Sequence, residues 1–332
     1  MTNTAYNVQL EKLCAALGLG TLVCAPTPLT GGHLHRMYAI ETGMGKYAVK
    51  ALNPQVMQRP EAKPNVLKAE QVARIAAKEI PAVPAIEFAC GIMPEIDGQH
   101  YLVFGWIDGA PRYHDEIDTS HCAAMGKLLA QLHGIDFSSV QFEDDPPGEM
   151  INWTAYGHPL LHENIADICR WNECLLAAQV ELSTGKVVSH RDLEPKNVMW
   201  NAAGPVVIDW EAAALIHPLQ ELVMTALYWS YDANGAFVSE KFRAFVRAYH
   251  EHTSLCCDDW QPVLYMGIAG TLGWLEYSFK RALGLECADE AERQMGETQV
   301  AETIAELRRY EENMGEVLTE LKSAQNHRNL AV

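Results

Sequence analysis

A chain of 332 residues exceeds the usual size of one domain, and a hydrophobic fraction of 48% can supply more than one buried core. The 43 acidic and 25 basic residues give a formal net charge of −18, which argues against nucleic acid as a partner. The polar start of the chain lacks a secretory h-region, and no apolar run approaches the roughly 20 residues that span a bilayer. Together with nine cysteines that lack Cys-x-x-Cys spacing, these features predict a cytoplasmic protein with reduced thiols and no membrane partner.

The first segment with chemical character surrounds two glycines. Gly31 and Gly32 interrupt a strand-like stretch, and paired glycines let backbone N–H groups approach a phosphate closely. Residues 46–52 then alternate like a strand and carry Lys50. Lys50 matches the lysine that contacts the nucleotide phosphates in the protein-kinase pattern. We therefore expect a phosphate-binding element in this part of the chain.

A helix is predicted next, over residues 64–79, where apolar side chains recur at helical spacing. Glu70 lies among them. Because a kinase needs a glutamate to hold its phosphate-binding lysine, Glu70 is the predicted ion-pair partner of Lys50. Glu79, at the end of the same segment, is an alternative partner.

A connector follows a buried-strand pattern at 101–104. The sequence Gly-Trp-Ile-Asp-Gly in this connector can present backbone groups to the edge of an adenine ring. We therefore predict a nucleotide-binding lobe over 1–103 with a mixed sheet and one helix, a hinge over 104–109, and a catalytic and substrate-binding helical lobe over 110–332.

The strongest signal is the run HRDLEPKN at 190–197, which is followed by Asp209 in the run VVIDWE. Phosphoryl transfer requires a group that orients the attacking hydroxyl and oxygen ligands for metal ions. Asp192 can accept the hydroxyl proton, while Asn197 and Asp209 offer the hard oxygen ligands that Mg²⁺ prefers. Short strands are predicted around these residues at 187–188, 198–200 and 205–208, with a hairpin turn at 201–204.

The stretch after Asp209 excludes a protein substrate. A protein kinase has an activation segment of roughly two to three dozen residues there, closing with Ala-Pro-Glu. Here the chain runs directly into an apolar helical stretch at 220–231. Helices in the remainder are predicted at 119–133, 159–181, 219–232, 236–252, 260–283 and 298–322.

These motifs resemble the aminoglycoside phosphotransferase family of small-molecule kinases, and the resemblance spans nearly the whole chain. It implies an α+β, bilobal protein-kinase-like fold with a small mixed-sheet N-terminal lobe and a larger, mainly helical C-terminal lobe. By the resemblance, Asp192 is the catalytic base, Asn197 and Asp209 are the metal ligands, and Lys50 with Glu70 clamps the phosphates.

The resemblance also implies how the nucleotide is held. The Gly105 carbonyl and the Ile107 N–H would face the adenine, Phe104 would line the pocket, and Gly31 with Gly32 would approach the phosphates. The implied cofactors are ATP and Mg²⁺. GTP is not excluded, because the choice depends on the hinge backbone and on the bulk of Phe104.

The catalytic loop departs from related patterns at three positions. Protein kinases usually carry a lysine two residues after the catalytic aspartate and a glutamate four residues after it. In this chain Glu194 and Lys196 occupy those positions with the charges reversed. The resembling family also commonly has glycine after the loop histidine, where this chain has Arg191.

The excess acid lies downstream of the predicted hinge. Residues 1–107 carry a net charge of +1, whereas residues 108–332 carry −19. A field of that sign concentrates cationic ligands, although acidic residues also serve solubility on outer helix faces. The resembling family builds its acceptor pocket from carboxylates in the helical lobe. The candidate acceptor-binding residues are Glu194, Glu211, Asp258, Asp259, Trp274 and Glu276.

The sequence therefore predicts an ATP-dependent, Mg²⁺-assisted O-phosphotransferase that acts on a hydroxyl of a small, cationic molecule. An aminoglycoside-type antibiotic is the favoured acceptor, and antibiotic resistance would be the outcome. One alternative is a metabolic kinase for choline, homoserine or a sugar amine. Another is a nucleotide-binding pseudokinase that scaffolds a partner. The sequence does not define the oligomeric state.

Overall fold

The computed structural model describes residues 6–29, 35–143, 151–255, 257–285 and 290–329. The chain divides into two units. The first comprises Met1–Glu116, Gly134–Phe142 and Val188–Ala214, and the second comprises Ile117–His133, Glu143–Val187 and Leu215–Val332. None of the helices in the described ranges has the length and apolar character needed to cross a membrane. The hinge over 104–109 stays a prediction, and chain packing groups the catalytic-loop segment with the first unit.

The first unit is built on the strands β1 (Thr27–Leu29), β2 (Arg36–Thr42), β3 (Gly45–Ala51), β4 (Glu95–Ile96) and β5 (Gln99–Gly105). They form one sheet in the order β1-β2-β3-β5-β4, and neighbouring strands are antiparallel. The predicted strand around Lys50 is thus confirmed as β3. Because side chains alternate along a strand, Val49 enters the apolar core and Lys50 points to the opposite face.

Two helices belong to the same unit, α1 (Leu10–Leu17) and α2 (Ala62–Ala76). Helix α2 confirms the helix predicted at 64–79, whereas the expectation of one helix within 1–103 was wrong. Helix α1 spans eight residues and therefore offers little more than two turns of pattern. Its signals are the adjacent buried pair Leu13 and Cys14 and the left-handed Gly18, with φ of 68°, at its end.

The predicted strands around the catalytic loop are confirmed as β6 (Val187–Ser189), β7 (Val198–Asn201) and β8 (Gly204–Val207), and a further strand is β9 (Ala214–Ile216). Strands β7 and β8 form an antiparallel hairpin. Val207 is bonded on both sides: its N–H donates to the Pro81 carbonyl at 2.9 Å, and its carbonyl accepts from the Val83 N–H at 3.0 Å. Because Ala82 also forms a parallel bridge with Val207, the strand that precedes Asp209 is fixed.

The second unit is helical, with α3 (Thr119–His133), α4 (Pro159–Glu181), α5 (Pro218–Tyr228), α6 (Ser239–His250), α7 (Gln261–Met266), α8 (Ala269–Ala282) and α9 (Glu290–Asn329). The predicted bounds of α3 and α4 are confirmed. The helix predicted over 260–283 is two helices. They separate near Leu264, whose carbonyl accepts a hydrogen bond from the Tyr310 hydroxyl at 2.8 Å.

One apolar core of the second unit lies between α4, α8 and α9. Trp171 and Phe279 are fully buried there. The last helix carries an apolar stripe whose members are all buried: Val300, Ile304, Leu307, Val317 and Leu321. Burial of this stripe accounts for a helix far longer than its own sequence propensity would sustain.

Glu70 fastens α2 to the segment that follows it. The Ala85 N–H donates to Glu70 Oε2 at 2.6 Å, and the carboxylate is buried. The pKa of Glu70 is raised from 4.5 to about 7: burial is the main cause and the charge of Asp209 adds to it, while the Ala85 hydrogen bond and the charges of Lys50 and Arg74 oppose the shift. An ionised Glu70 therefore costs the folded state free energy.

Helices α3 and α6 approach each other closely at Gly126. A methyl group in place of its hydrogen would lie 2.1 Å from the carbonyl oxygen of Phe245. Gly273 in α8 has no neighbouring atom within 4 Å of the same position. A side chain therefore has no room at Gly126 but has room at Gly273, and both glycines lie in the same helical unit.

We expect Gly126→Ala to lower the free energy of unfolding by about 2 kcal/mol, because the helices must separate to admit the methyl group. The matched Gly273→Ala variant is expected to raise it by about 0.5 kcal/mol, since alanine restricts the unfolded chain and favours the helix. Urea denaturation of both variants measures the difference. Equal effects would contradict the close approach.

A second prediction concerns Glu70→Gln. Glutamine still accepts from the Ala85 N–H but has no charge to bury. Because the folded pKa of Glu70 lies above its ordinary value, wild-type stability should fall as the pH rises from about 4.5 to about 7 and stay lower above that. The variant should therefore be more stable by about 2 kcal/mol at pH 8 and equal to wild type near pH 4.5.

Unfolding curves collected across that pH range test this expectation. The exposed Glu79, which lies just beyond α2, provides the control Glu79→Gln. If Glu70→Gln and Glu79→Gln have the same stability profile, the burial of an ionisable Glu70 is refuted.

Candidate active site

Lys50 is the centre of a charged cluster in the first unit. Strand β3 carries it, and its side chain is 8% exposed. Its Nζ lies 2.7 Å from Asp209 Oδ1 and 3.1 Å from Glu211 Oε2. Burial lowers the pKa of Lys50, but the two carboxylates outweigh that effect and leave the pKa raised. Lys50 is therefore a fixed cation beside two carboxylates.

The turn after β8 places those two carboxylates. Asp209 has a left-handed backbone with φ of 61° and starts a short helical turn over 210–212. The intervening Trp210 is buried, and its ring lies 4.8 Å from the ring of His190. The indole thus anchors the turn, while Asp209 and Glu211 on either side of it reach Lys50.

His190 connects the catalytic loop to the same turn. Its Nε2 lies 3.0 Å from the Ile208 carbonyl oxygen, and its Nδ1 accepts from the Asp192 N–H at 3.3 Å. Because a carbonyl can only accept, the proton must reside on Nε2. Between them Arg191 has φ of 65°, a conformation that glycine adopts without strain. This explains why glycine is common at that position in the resembling family.

Asp192 and Asn197 are hydrogen-bonded partners. Asn197 Nδ2 donates to both the carbonyl oxygen and Oδ2 of Asp192 at 2.8 Å. The pKa of Asp192 is raised to about 6: burial is the main cause and the nearby Glu194 adds to it, while Lys196 and the Asn197 hydrogen bond oppose the shift. An aspartate with an increased proton affinity can receive a proton from a hydroxyl.

The reversed charges of the loop form a local pair. Lys196 Nζ lies 3.0 Å from Glu194 Oε2 and 4.0 Å from Asp192 Oδ1. Burial lowers the pKa of Lys196, but these acidic neighbours outweigh the effect and raise it. The structure thus places a cation beside Asp192, although its sequence position differs from that of the protein-kinase lysine.

Glu70 does not form the predicted ion pair with Lys50. Its carboxylate instead accepts from the Ala85 N–H, whereas the ion-pair partners of Lys50 are Asp209 and Glu211. The reason lies in the tertiary structure. The segment around Ala85 brings a backbone N–H donor to Glu70 on α2, and the turn after β8 brings Glu211 to Lys50. Glu79 is exposed and is not the partner either.

A pocket lies beside Lys50, and its walls come from the first unit. Its apolar lining consists of Leu52, Val66, Ala69, Leu102 and Phe104, next to the buried indole of Trp210. Its charged lining consists of Lys50, Glu70, Asp209 and Glu211. An apolar wall with a few charged groups suits a nucleotide, whose base is flat and apolar and whose phosphates are anionic.

The predicted adenine contacts lie at the end of β5. Phe104 lines the pocket, Gly105 is the last residue of the strand, and Ile107 lies two residues beyond it. The roles of the Gly105 carbonyl and the Ile107 N–H stay predictions. The predicted glycine turn at 31–32 lies outside the described residues.

Asn197 and Asp209 offer oxygen atoms that suit Mg²⁺. Since Asn197 Nδ2 donates to Asp192, its Oδ1 is the atom that can bind a cation. The Asn197 carbonyl accepts from the Ile208 N–H at 3.0 Å, which keeps Asn197 near Asp209. Within the described ranges no cluster of three or more His, Cys, Asp or Glu side chains could hold a metal. One or two carboxylates plus nucleotide phosphates are a common Mg²⁺ site, so these residues fit that ion.

The candidate acceptor residues of the second unit lie in two places. Asp258 and Asp259 are exposed, and Asp259 accepts from the Gln261 N–H at 3.0 Å at the start of α7. On α8 the exposed ring of Trp274 lies 5.4 Å from the ring of Tyr277. The cluster of Lys50, Asp209 and Glu211 thus includes one of the six candidates.

Glu276, also on α8, is already engaged. Its Oε1 accepts from the Tyr156 hydroxyl at 2.7 Å and lies 3.1 Å from Lys280 Nζ. Its negative charge is therefore partly neutralised within the unit. An acceptor cation would have to compete with Lys280 for this carboxylate.

Sequence reasoning missed His35. Its imidazole lies 3.3 Å from Glu211 Oε2 and is buried, so it belongs to the charged cluster. The only sequence signal was its place shortly after the paired glycines, and that position does not indicate a contact with a residue so far along the chain.

Comparisons with known proteins place this chain in a family. The model of the phosphotransferase enzyme family matches residues 26–255, which is more than half of the chain. A homoserine kinase from Methylobacillus glycogenes is 25% identical over 287 residues, which cover 80% of this chain and 83% of that protein.

Two solved structures share the fold. A spectinomycin phosphotransferase in complex with ADP and spectinomycin has a TM-score of 0.65 at 13% identity and covers 90% of this chain and 95% of its own. A microcompartment-associated aminopropanol kinase has a TM-score of 0.63 at 14% identity, and the match covers 93% of this chain and 98% of that kinase. The predicted kinase-like fold is confirmed. The chain belongs to the phosphotransferase enzyme family and is a small-molecule phosphotransferase with an alcohol group as its acceptor.

Proposed function

We propose that this enzyme transfers the γ-phosphoryl group of ATP to a hydroxyl of a small, cationic, amine-bearing molecule in the cytoplasm. The observation that carries the proposal is the grouping of a proton acceptor, two oxygen ligands and a phosphate-binding cation in one unit. These residues are Asp192, Asn197, Asp209 and Lys50. An aminoglycoside-type antibiotic is the favoured acceptor, so that resistance would be the biological outcome.

The proposed mechanism assigns one task to each residue. Asp192 accepts the proton of the acceptor hydroxyl. At the same time the hydroxyl oxygen forms a bond to the γ-phosphorus of ATP, and the bond between the γ-phosphorus and the bridging oxygen of the β-phosphate breaks. Lys50 binds the phosphates. Asn197 and Asp209 would hold Mg²⁺, which neutralises charge on the transferred group. The products are the phosphate ester and ADP.

The acidity of the chain supports a cationic acceptor. Residues 108–332 carry a net charge of −19, while residues 1–107 carry +1. Such a field raises the local concentration of a polycation and accelerates its encounter with the protein. The spectinomycin phosphotransferase, whose structure shares this fold, supports an antibiotic as the acceptor.

A second candidate is a metabolic kinase that phosphorylates homoserine, choline or a sugar amine. The homoserine kinase relative and the aminopropanol kinase structure favour it. The chemistry at Asp192 is the same for each acceptor, because an aspartate can take the proton of any positioned hydroxyl. The candidates therefore differ in the acceptor pocket alone.

Replacement of Asp192 tests the proposed base. We expect Asp192→Asn to lower kcat at least about 100-fold, because the amide cannot take the hydroxyl proton. Affinity for an ATP analogue should change less than about twofold, since Lys50 and the apolar pocket remain. The control is Asp136→Asn, whose exposed carboxylate caps a local turn by accepting from the Ser138 N–H. Unchanged turnover in Asp192→Asn would refute Asp192 as the base, whereas a cellular phenotype that the substitution leaves unchanged would favour a scaffolding pseudokinase.

Acceptor-dependent release of ADP tests the acceptor class. With purified protein, ATP and Mg²⁺, we expect release with aminoglycosides and a weaker response with homoserine, choline, aminopropanol and sugar amines. Dependence on ionic strength supplies a second readout, because the affinity for a polycation should fall as salt screens the acidic field. Release with a metabolite alone would replace the antibiotic assignment with the metabolic one.

A further inference from the structure

His35 is a buried imidazole with a partner at each ring nitrogen. Its side chain is 6% exposed. The Asn53 N–H lies 2.9 Å from Nδ1, and Glu211 Oε2 lies 3.3 Å from Nε2. The ring therefore connects the backbone just beyond β3 to a carboxylate of the charged cluster around Lys50.

The two partners define the protonation of the ring. A backbone N–H can only donate, so His35 Nδ1 must be the unprotonated acceptor, and the proton must reside on Nε2. The ring is then neutral and donates from Nε2 to Glu211. Glu211 Oε2 therefore lies between two donors, because the same oxygen is 3.1 Å from Lys50 Nζ.

We propose that His35 is a positioning residue for phosphoryl transfer: it holds Glu211 against Lys50, so that Glu211, not Glu70, is the carboxylate that orients the phosphate-binding lysine in this chain. The inference rests on the proposed role of Lys50 as the phosphate ligand. It also assigns Glu211 to the nucleotide site and not to the acceptor site.

One observation and one consequence of the proposed mechanism carry the assignment. Glu70, the carboxylate that the kinase pattern supplies for this task, is engaged by the Ala85 N–H at 2.6 Å. Asp209, the other partner of Lys50, would be occupied by Mg²⁺ when the nucleotide binds, and its hold on the lysine would weaken. Glu211 then remains as the anionic partner of Lys50.

His35 also connects the Glu211 carboxylate to the backbone close to Lys50. The Asn53 N–H that holds the ring lies three residues after Lys50 in the chain. Both the lysine and the donor to its carboxylate are therefore attached to the same stretch of backbone. Without the imidazole, Glu211 would lose a donor, and its side chain could rotate away from Lys50 at the cost of phosphate affinity.

Two substitutions at His35 separate positioning from simple packing. Glutamine places an N–H donor near the location of Nε2, whereas asparagine places an acceptor near Nδ1 and does not reach Glu211. We expect His35→Asn to weaken binding of AMP-PNP with Mg²⁺ about tenfold and His35→Gln to weaken it less than about threefold. Titration calorimetry measures both. If asparagine preserves affinity as well as glutamine or better, the proposal is wrong.

A double-mutant cycle tests whether His35 acts through Glu211. In the Glu211→Ala background, His35→Asn should change affinity and the KM for ATP less than about twofold, because the group it positions is absent. A tenfold loss that persists in this background would overturn the proposal.

The control for burial is His100→Asn. His100 is 7% exposed and its Nδ1 lies 3.3 Å from Glu95 Oε2, so it resembles His35 in both respects, but Glu95, unlike Glu211, does not line the nucleotide pocket. We expect His100→Asn to leave the affinity for AMP-PNP unchanged. A tenfold loss in this control variant would overturn the proposal, because replacement of any buried histidine would then have the same effect. Wild-type protein that fails to bind AMP-PNP would refute the proposed function itself, whereas wild-type binding with equal affinity in all His35 variants refutes this inference alone.

Discussion

The ion pairs of Lys50 with Asp209 and Glu211 are the interaction on which the site depends. A lysine that is 8% exposed needs anionic neighbours, because burial of an unpaired ammonium is costly. The fold supplies them through the turn after β8, which is held by the buried Trp210. The same turn contains a candidate metal ligand, so the environment of the lysine and the metal site are built by a single short segment.

The catalytic loop is organised by hydrogen bonds from the side chains of His190 and Asn197. The neutral ring of His190 accepts from the Asp192 N–H and donates to the Ile208 carbonyl. The side-chain amide of Asn197 donates to the Asp192 carboxylate. These short-range contacts explain why much of the site could be predicted from sequence. Residues that are separated by five positions and joined by one hairpin have few ways to be arranged, so their spacing defines their geometry.

Contacts between distant parts of the chain were not predictable in this way. Glu70 occupies the sequence position of a lysine partner, yet the Ala85 N–H, which no pattern reveals, holds its carboxylate. His35 and Glu211 meet although 176 positions separate them in the sequence. Among the elements of the fold, the bounds of the periodic helices α3 and α4 were predicted correctly, whereas the eight-residue α1 was missed because so short a helix has little periodicity.

The attachment of Glu70 to Ala85 has a consequence for control of the enzyme. In regulated protein kinases the lysine–glutamate pair forms only when the glutamate-bearing helix moves inward, and that motion serves as an on-off switch. Here the carboxylate beside Lys50 comes from the turn after β8, and α2 is bonded to its own following segment. The lysine pair of this chain therefore does not need an inward movement of a glutamate on α2, because both carboxylates beside Lys50 belong to the turn that also carries the candidate metal ligand Asp209.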